Sequence, residues 1–185
     1  NIRQVEGEGF QEIDSELFSK FKNTVRNTID GPLLEQLFPL GEKLCKVNWE
    51  THDGRTRLAA HQTESHTEES CRGNAGITFG RQIGAYPILI GVEYHIPLET
   101  QSDIIITGHG ARSITGVEIN LDHNRVSQKQ LEAIPGIGEK TAWKLISQRA
   151  KKISKSGDLN AYESPMQLFE AANVDWNSNF SVFFE

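Results

Sequence analysis

Leu131-Glu132-Ala133-Ile134-Pro135-Gly136-Ile137-Gly138-Glu139-Lys140-Thr141-Ala142-Trp143-Lys144-Leu145-Ile146 is the stretch that decides how this chain reads. An apolar helical end runs into Pro135-Gly136-Ile137-Gly138, and a second helical pattern follows, with small Ala142 and apolar Leu145 and Ile146. Ser127 with Gln130 three residues later is a capping-box pattern for the start of the first helix. Gly136 and Gly138 allow a turn too tight for side chains, with positive φ where it is needed. Such a turn delivers backbone N–H groups to the start of the second helix, where the helix dipole favours an anion. Lys140 and Lys144 are one turn apart, share a helix face and suit a phosphate.

The segment from Val126 to Arg149 resembles a helix-hairpin-helix motif, the family of small nucleic-acid binders that tolerate many sequences. The resemblance implies that the N–H groups of Gly136, Ile137 and Gly138, together with Lys140, hold one backbone phosphate. It also implies a monovalent cation on the carbonyls of Glu132, Ile134 and Ile137. The plain alternative is an αα-hairpin whose glycines only make the turn, although such a turn does not need the full run.

Charge is unevenly distributed. From Arg125 to Lys155 there are eight basic and two acidic residues, a net +6 within a chain of net charge −6, so the remainder carries −12. A globally basic binder is therefore excluded, and the positive footprint coincides with the hairpin. Lys144, Arg149, Lys151 and Lys152 are expected to add long-range attraction. A solvated Lys-rich helix end is the bland reading of the same residues.

With 185 residues and 37% hydrophobic content, the chain suits one domain or two small ones with an ordinary core. It begins at Asn1 and is expected to be a piece of a longer protein. No apolar run reaches the length of a membrane span, and no signal pattern opens the chain. Cys45 and Cys71 give no disulfide framework, so a reducing, cytoplasmic setting is expected.

Along the chain, Asn1 to Val5 reads as a strand followed by a Gly-rich turn. Asp14 or Ser15 then caps a helix with Leu17, Phe18, Phe21, Val25 and Ile29 on one stripe, read as packing. Asp30-Gly31-Pro32 is expected to stop it, and Leu33 to Phe38 to form a second helix. From Leu44 the period becomes two: Cys45, Val47 and Trp49 alternate with polar residues up to a turn at Asp53-Gly54, with Arg55 to Ala60 as the returning partner. The polar stretch from His61 to Gly76 reads as a loop. Ile77 to Arg81, Tyr86 to Val92, Asp103 to Thr107 and Ile114 to Ile119 read as short strands of a curled sheet or barrel. Pro97 and Leu121 to Arg125 are joints. Ser164 caps a short helix with Pro165 in its first turn, and Val174, Trp176, Phe180, Val182, Phe183 and Phe184 are expected to pack under the hairpin helices.

Taken together, His52-Asp53-Gly54, the run from Ile77 to Gly91 and the run from Gly108 to Gly116 resemble the C-terminal region of an archaeal-type radical SAM protein. There a TRAM or OB-like small barrel precedes a helix-hairpin-helix. The resemblance implies RNA rather than DNA as the nucleic-acid partner, and an upstream catalytic domain of the same protein as a second partner. It implies a 4Fe–4S cluster and S-adenosylmethionine only in that upstream domain, because a cluster needs a Cys-x-x-x-Cys-x-x-Cys run. Residues 55–76 look like an insertion in this pattern.

Other constellations are weaker. His61, His66 and Cys71, with His52 and Cys45, have zinc-type donors but no metal-ligand knuckle spacing. His109 and Arg112 could meet a phosphate or a base, with Ser113 as a donor; a glycine-bent bulge explains the same residues. As a nucleophilic set with Asp103, His109 and Ser113 lack an oxyanion pattern. Gly80 to Gly84 matches no phosphate-loop pattern. Tyr86 is the better base-stacking candidate, Phe79 the better core candidate, and Arg81 could extend a phosphate path over the barrel.

The expectation is an α+β chain: residues 1–41 an N-terminal strand and helical segment, 42–121 a small antiparallel OB/TRAM-like barrel, and 122–185 a helix-hairpin-helix unit with an aromatic tail. The expected role is sequence-tolerant nucleic-acid binding without catalysis by this segment. A docking module that binds no nucleic acid is the alternative.

Overall fold

The structure is a computed structural model and describes residues 13–52, 76–84 and 87–184. Helix α1 (Ser15–Val25) begins at Asp14, whose carboxylate accepts from the N–H groups of Glu16 and Leu17, both at 2.9 Å. The expected stop at Asp30-Gly31-Pro32 does not occur. The helix runs on through a wide π turn (Arg26–Asp30) into α2 (Gly31–Leu37). Pro32 has no N–H, and its ring crowds the carbonyl four residues back, so an α-helix would kink there. The π turn opens the spacing, and the Gly31 N–H bonds to the Arg26 carbonyl instead. The apolar stripe of α1 is not core: no residue of α1 is buried, and Leu17 and Phe21 are 60% and 54% exposed. Only Leu34 of α2 enters a core, with Phe38 packed beside it.

Five strands, β1 (Lys43–His52), β2 (Thr78–Gln82), β3 (Leu89–Val92), β4 (Gln101–His109) and β5 (Ser113–Glu118), close into a barrel in the order β1-β2-β3-β5-β4. Strand β1 serves both neighbours, pairing with β4 and with β2. A bulge between Leu44 and Val47 lets it bend, with Lys46 at φ 56°. The Asp103 carboxylate holds the bend, accepting the Lys46 N–H at 2.9 Å and pairing with the Lys43 ammonium at 3.0 Å. The bulge shifts the alternation, so Cys45 is exposed while Val47 and Trp49 are buried. β2 is the partner of β1 on the side where Arg55 to Ala60 was expected; residues 53–75 lie outside the described residues.

The barrel is not wholly antiparallel, because β3 and β5 run parallel. A closed ring of five strands cannot alternate direction all the way round, so one neighbouring pair must be parallel. The connection after β3 crosses the barrel to bring in β4, and β5 then returns in the direction of β3. Ile104 and Ile106 fill the interior with Val47, Trp49, Ile90 and Ile114. Ile105 and Val117 face outward, and that outer face carries the second core. Phe79 is not in the interior: it is half-buried on the outside, paired with Gly91, while its neighbour Thr78 is buried.

The second core is helical. Helices α3 (Gln128–Ala133), α4 (Glu139–Ser156) and α5 (Pro165–Ala171), the turn between α3 and α4, and a 3₁₀ turn (Ser178–Phe183) supply Leu131, Ile134, Ile137, Leu145, Phe169 and Phe180. Phe169 meets Trp176 edge-on, with ring centroids 5.0 Å apart. The Leu121 N–H donates to the Phe183 carbonyl at 2.8 Å, so the tail is stitched to the segment leaving the barrel. Buried Asn124 clamps Tyr162, donating to its carbonyl at 2.8 Å and accepting from its N–H at 3.0 Å.

Two stability predictions arise here. Asn124→Ala leaves the buried Tyr162 N–H without its partner and its carbonyl with His123 alone, and should cost about 1–3 kcal/mol, read from the denaturant midpoint; a change within error would show that the clamp is dispensable. Glu118 lies between barrel and helical layer, and burial raises its carboxyl above the ordinary value near 4.5 against the opposing hydrogen bonds of Ser102, Gln130 and Tyr94. The native state then holds a proton that the unfolded chain has released. Stability from this group is fully present below about pH 4.5 and declines as pH rises through the raised value. Glu118→Gln should remove that decline, and parallel melting curves of the two proteins across this range would contradict it.

Candidate nucleic-acid interface

Ser127 caps α3 in both directions: its hydroxyl accepts from the Gln130 N–H at 3.2 Å, and its own N–H donates to the Gln130 side chain at 2.9 Å. The helix ends at Ile134, and Ile134 and Ile137 are buried as the two apolar anchors of the turn. Gly136 between them has φ +95°, which an L side chain rarely adopts. Gly138 is the N-cap of α4 at φ −85°, and a Cβ built there meets nothing within 4 Å. The turn is therefore closed on the core side and open at Gly138.

The amides divide accordingly. The Ile137 N–H donates to the Ile134 carbonyl at 3.0 Å and is not available to a phosphate, contrary to the expectation that it would join Gly136 and Gly138. The Ile134 carbonyl proposed for a monovalent cation, with those of Glu132 and Ile137, already accepts this bond.

Around α4, the helical repeat puts Lys140, Lys144, Lys151 and Lys155 within roughly 60° of one another. All four are exposed, and buried Ala142 and Leu145 lie on the far side. Lys140, Lys144 and Lys151 have no carboxylate within ion-pair distance among the described residues. Lys129, just before this face, is instead paired with Glu132, which holds its ammonium charge more firmly.

The remaining expected cations serve the fold. Arg149 is half-buried and donates from Nη1 to the carbonyls of His123 (3.1 Å) and Val126 (2.8 Å); burial lowers its pKa. It anchors α4 to the segment entering α3 and does not face solvent as a phosphate-attracting charge would. The Lys152 ammonium lies 4.0 Å from the centre of the Tyr162 ring. Arg81 pairs with Glu50 across the strands, and Arg112 pairs with Asp30 at 3.0 Å, tying the β4–β5 hairpin to the helical rod. Neither barrel arginine extends a free path from α4.

His109 donates from Nε2 to the Phe38 carbonyl at 2.6 Å, beside a register shift between Ile106 and Gly108. The bulge reading therefore accounts for it. Asp103 sits six residues away along β4, a separation of roughly 20 Å, and is engaged by Lys43 and Lys46, so no nucleophilic set forms. No group of three metal-type donors occurs among the described residues; His61, His66, Cys71 and Tyr86 lie outside them. Two cysteines cannot supply the three thiolates of a radical SAM cluster.

Trp143 received no role from the sequence, yet it is 61% exposed on α4 at the edge of the lysine face. The helical period was the available signal: Trp143 falls three residues after Lys140 and away from Leu145.

The chain is similar to an uncharacterized protein of Archaeoglobus fulgidus, 31% identical over 119 residues, covering 64% of this chain and 18% of that protein. It is also similar to the uncharacterized protein MJ0274 of Methanocaldococcus jannaschii, 30% identical over 101 residues, covering 54% of this chain and 15% of that protein. The chain thus spans less than a fifth of the length of either relative. No family model matches it, and no solved structure does.

The two glycines make a paired prediction. Gly136→Ala should cost about 1–2 kcal/mol because of its left-handed φ, whereas Gly138→Asp, which adds a preferred N-cap side chain in open space, should hold or raise the melting temperature. Equal losses in the two variants would refute this division of the turn.

Proposed function

We propose that this chain binds the sugar-phosphate backbone of nucleic acid, with little dependence on sequence, through the 134–138 turn and the lysine face of α4. The turn is read as the hairpin of a helix-hairpin-helix motif. The Gly136 and Gly138 amides and the α4 dipole receive one phosphate, with Lys140 beside it and Lys144 and Lys151 along the same face. One observation carries the reading: these three lysines form a row with no ion-pair partner among the described residues, continuing from an open helix N-terminus, in a chain that is otherwise strongly acidic.

The barrel supports the same role. Its five strands, with a bent first strand that closes the ring, are consistent with an OB-like barrel, a type that binds oligonucleotides. The resemblance to a TRAM-type arrangement favours RNA over DNA. On the same resemblance, the segment positions substrate for an upstream catalytic domain carrying a 4Fe–4S cluster and S-adenosylmethionine, in a reducing, cytoplasmic setting. No described helix is long and apolar enough to cross a membrane.

A docking role is favoured by a different surface than the expected one. The aromatic tail is internal at Phe180 and Phe183, so the exposed stripe of α1 and α2, with Leu17, Phe21, Ile29 and Leu33, is where a protein partner would sit.

Three phosphate contacts predict that log affinity for single-stranded RNA falls against log salt with a slope of roughly −2, from about −0.7 per phosphate. Gly138→Asp combined with Lys140→Glu should abolish binding in a salt-series gel shift while the protein stays folded. Retained affinity in that variant would end the phosphate assignment.

A further inference from the structure

The chain has three tryptophans, and the fold treats them differently. Trp49 is 1% exposed in the barrel, with its indole N–H donating to the Ser102 hydroxyl at 2.8 Å. Trp176 packs in the aromatic cluster of the tail. Trp143 alone stands in solvent, 61% exposed, on the most basic helix of the molecule.

A single exposed apolar side chain is ordinary on a protein surface. What surrounds Trp143 is less so. It borders an open groove between α4 and the end of α5, lined also by Lys144, Ser147, Gln148, Lys151 and Asn173. Ala171 and Ala172 are small and let the groove run beside the indole. Lys140 is one helical turn back on the same side, so the lysine row and the indole border one another along α4.

This combination has a specific chemical complement. A polyanion attracted by Lys140, Lys144 and Lys151 presents planar rings at regular intervals between its phosphates. A base can lie on the indole only if its own π face is open. In a duplex both faces are covered by neighbouring bases, so the indole selects a strand whose bases are unstacked. A protein partner would find a Trp in the groove but also a row of lysines with no carboxylate in ion-pair distance among the described residues, which favours an anionic occupant.

Resting on the phosphate-binding reading above, we propose that the groove beside Trp143 is a base-stacking subsite, and that the nucleic acid taken by this surface is single-stranded. The backbone follows the lysine row while one base stacks on the exposed indole. Gln148 and Asn173 line the groove with amide groups that hydrogen-bond base edges without demanding one sequence.

The 185-residue chain is titrated with oligo-uridylate, oligo-thymidylate and a duplex of equal length, following both affinity and tryptophan emission. The single strands should bind more tightly than the duplex and quench emission, and Trp143→Phe should keep most of the affinity while removing most of the quench. Trp143→Ala should lose roughly ten- to a hundredfold of single-strand affinity, the range of one lost base–aromatic stack. Its salt slope and duplex affinity should not change, whereas Lys140→Glu should weaken both substrates and flatten the slope. Recovery of affinity in Trp143→Phe separates lost stacking from misfolding.

Full single-strand affinity in Trp143→Ala, with Lys140→Glu still impaired, overturns the stacking subsite and leaves the phosphate reading standing. Tighter binding of the duplex also overturns it. Indifference to both substitutions removes the phosphate reading and this proposal together. Loss of a protein contact, but not of oligonucleotide affinity, in Trp143→Ala would assign the groove to a protein partner instead.

Discussion

Closing a sheet of five strands is the constraint on which the rest of this molecule depends. Each strand must find a neighbour on both sides, and β1 meets that demand only by bending between β4 and β2 at Lys46. The Asp103 carboxylate fixes the bend from the opposing strand, held in its charged form by the Lys46 N–H and Lys43. Once the ring is closed, β4 and β5 present Ile105 and Val117 outward, and the helical layer has a seat. The orientation of α4, and therefore of the turn at its start, follows from that seat.

The cations sort by chemistry more than by position in the sequence. Arg81, Arg112 and Arg149 all bind inside the fold, where a planar fork of donors can hold a carboxylate or two carbonyls at once. Lys140, Lys144 and Lys151 keep a compact, hydrated charge at the end of a flexible stem, which suits a mobile polyanion better than a fixed internal partner. In an acidic protein this sorting matters: the carboxylates elsewhere are already paired in part with arginine, and the lysine row keeps its field.

The sequence carried the local signals well where one helix or turn decided the outcome. Ser127 with Gln130, Asp14 and Ser164 mark helix starts that the structure has, because capping is a contact between residues a few positions apart. It failed where a distant partner, or a turn other than the α turn, decided. Pro32 reads as a stop, yet a π turn absorbs it. Arg149 reads as one more surface charge, yet carbonyls at His123 and Val126 capture it. The stripe of α1 reads as core, and periodicity alone cannot say whether anything lies opposite. For the candidate site, Gly136, Gly138 and the lysines were legible as a pattern. The consumption of the Ile137 amide within its own turn was not legible, because it depends on how the backbone closes, whereas the outward place of Trp143 lay in the helical period.

The bond between Lys46 and Asp103 joins positions 57 residues apart, whereas α3 and α4 are joined by a turn of a few residues. Contacts so different in sequence separation form on different timescales, because a distant pair must first close a long loop. The helix pair can therefore assemble early, while the bend in β1 is reached only when the whole barrel comes together. In kinetic terms, the Asp103 latch belongs to the late part of folding: weakening it would chiefly hasten unfolding, leaving the rate at which the helical layer first gathers almost untouched.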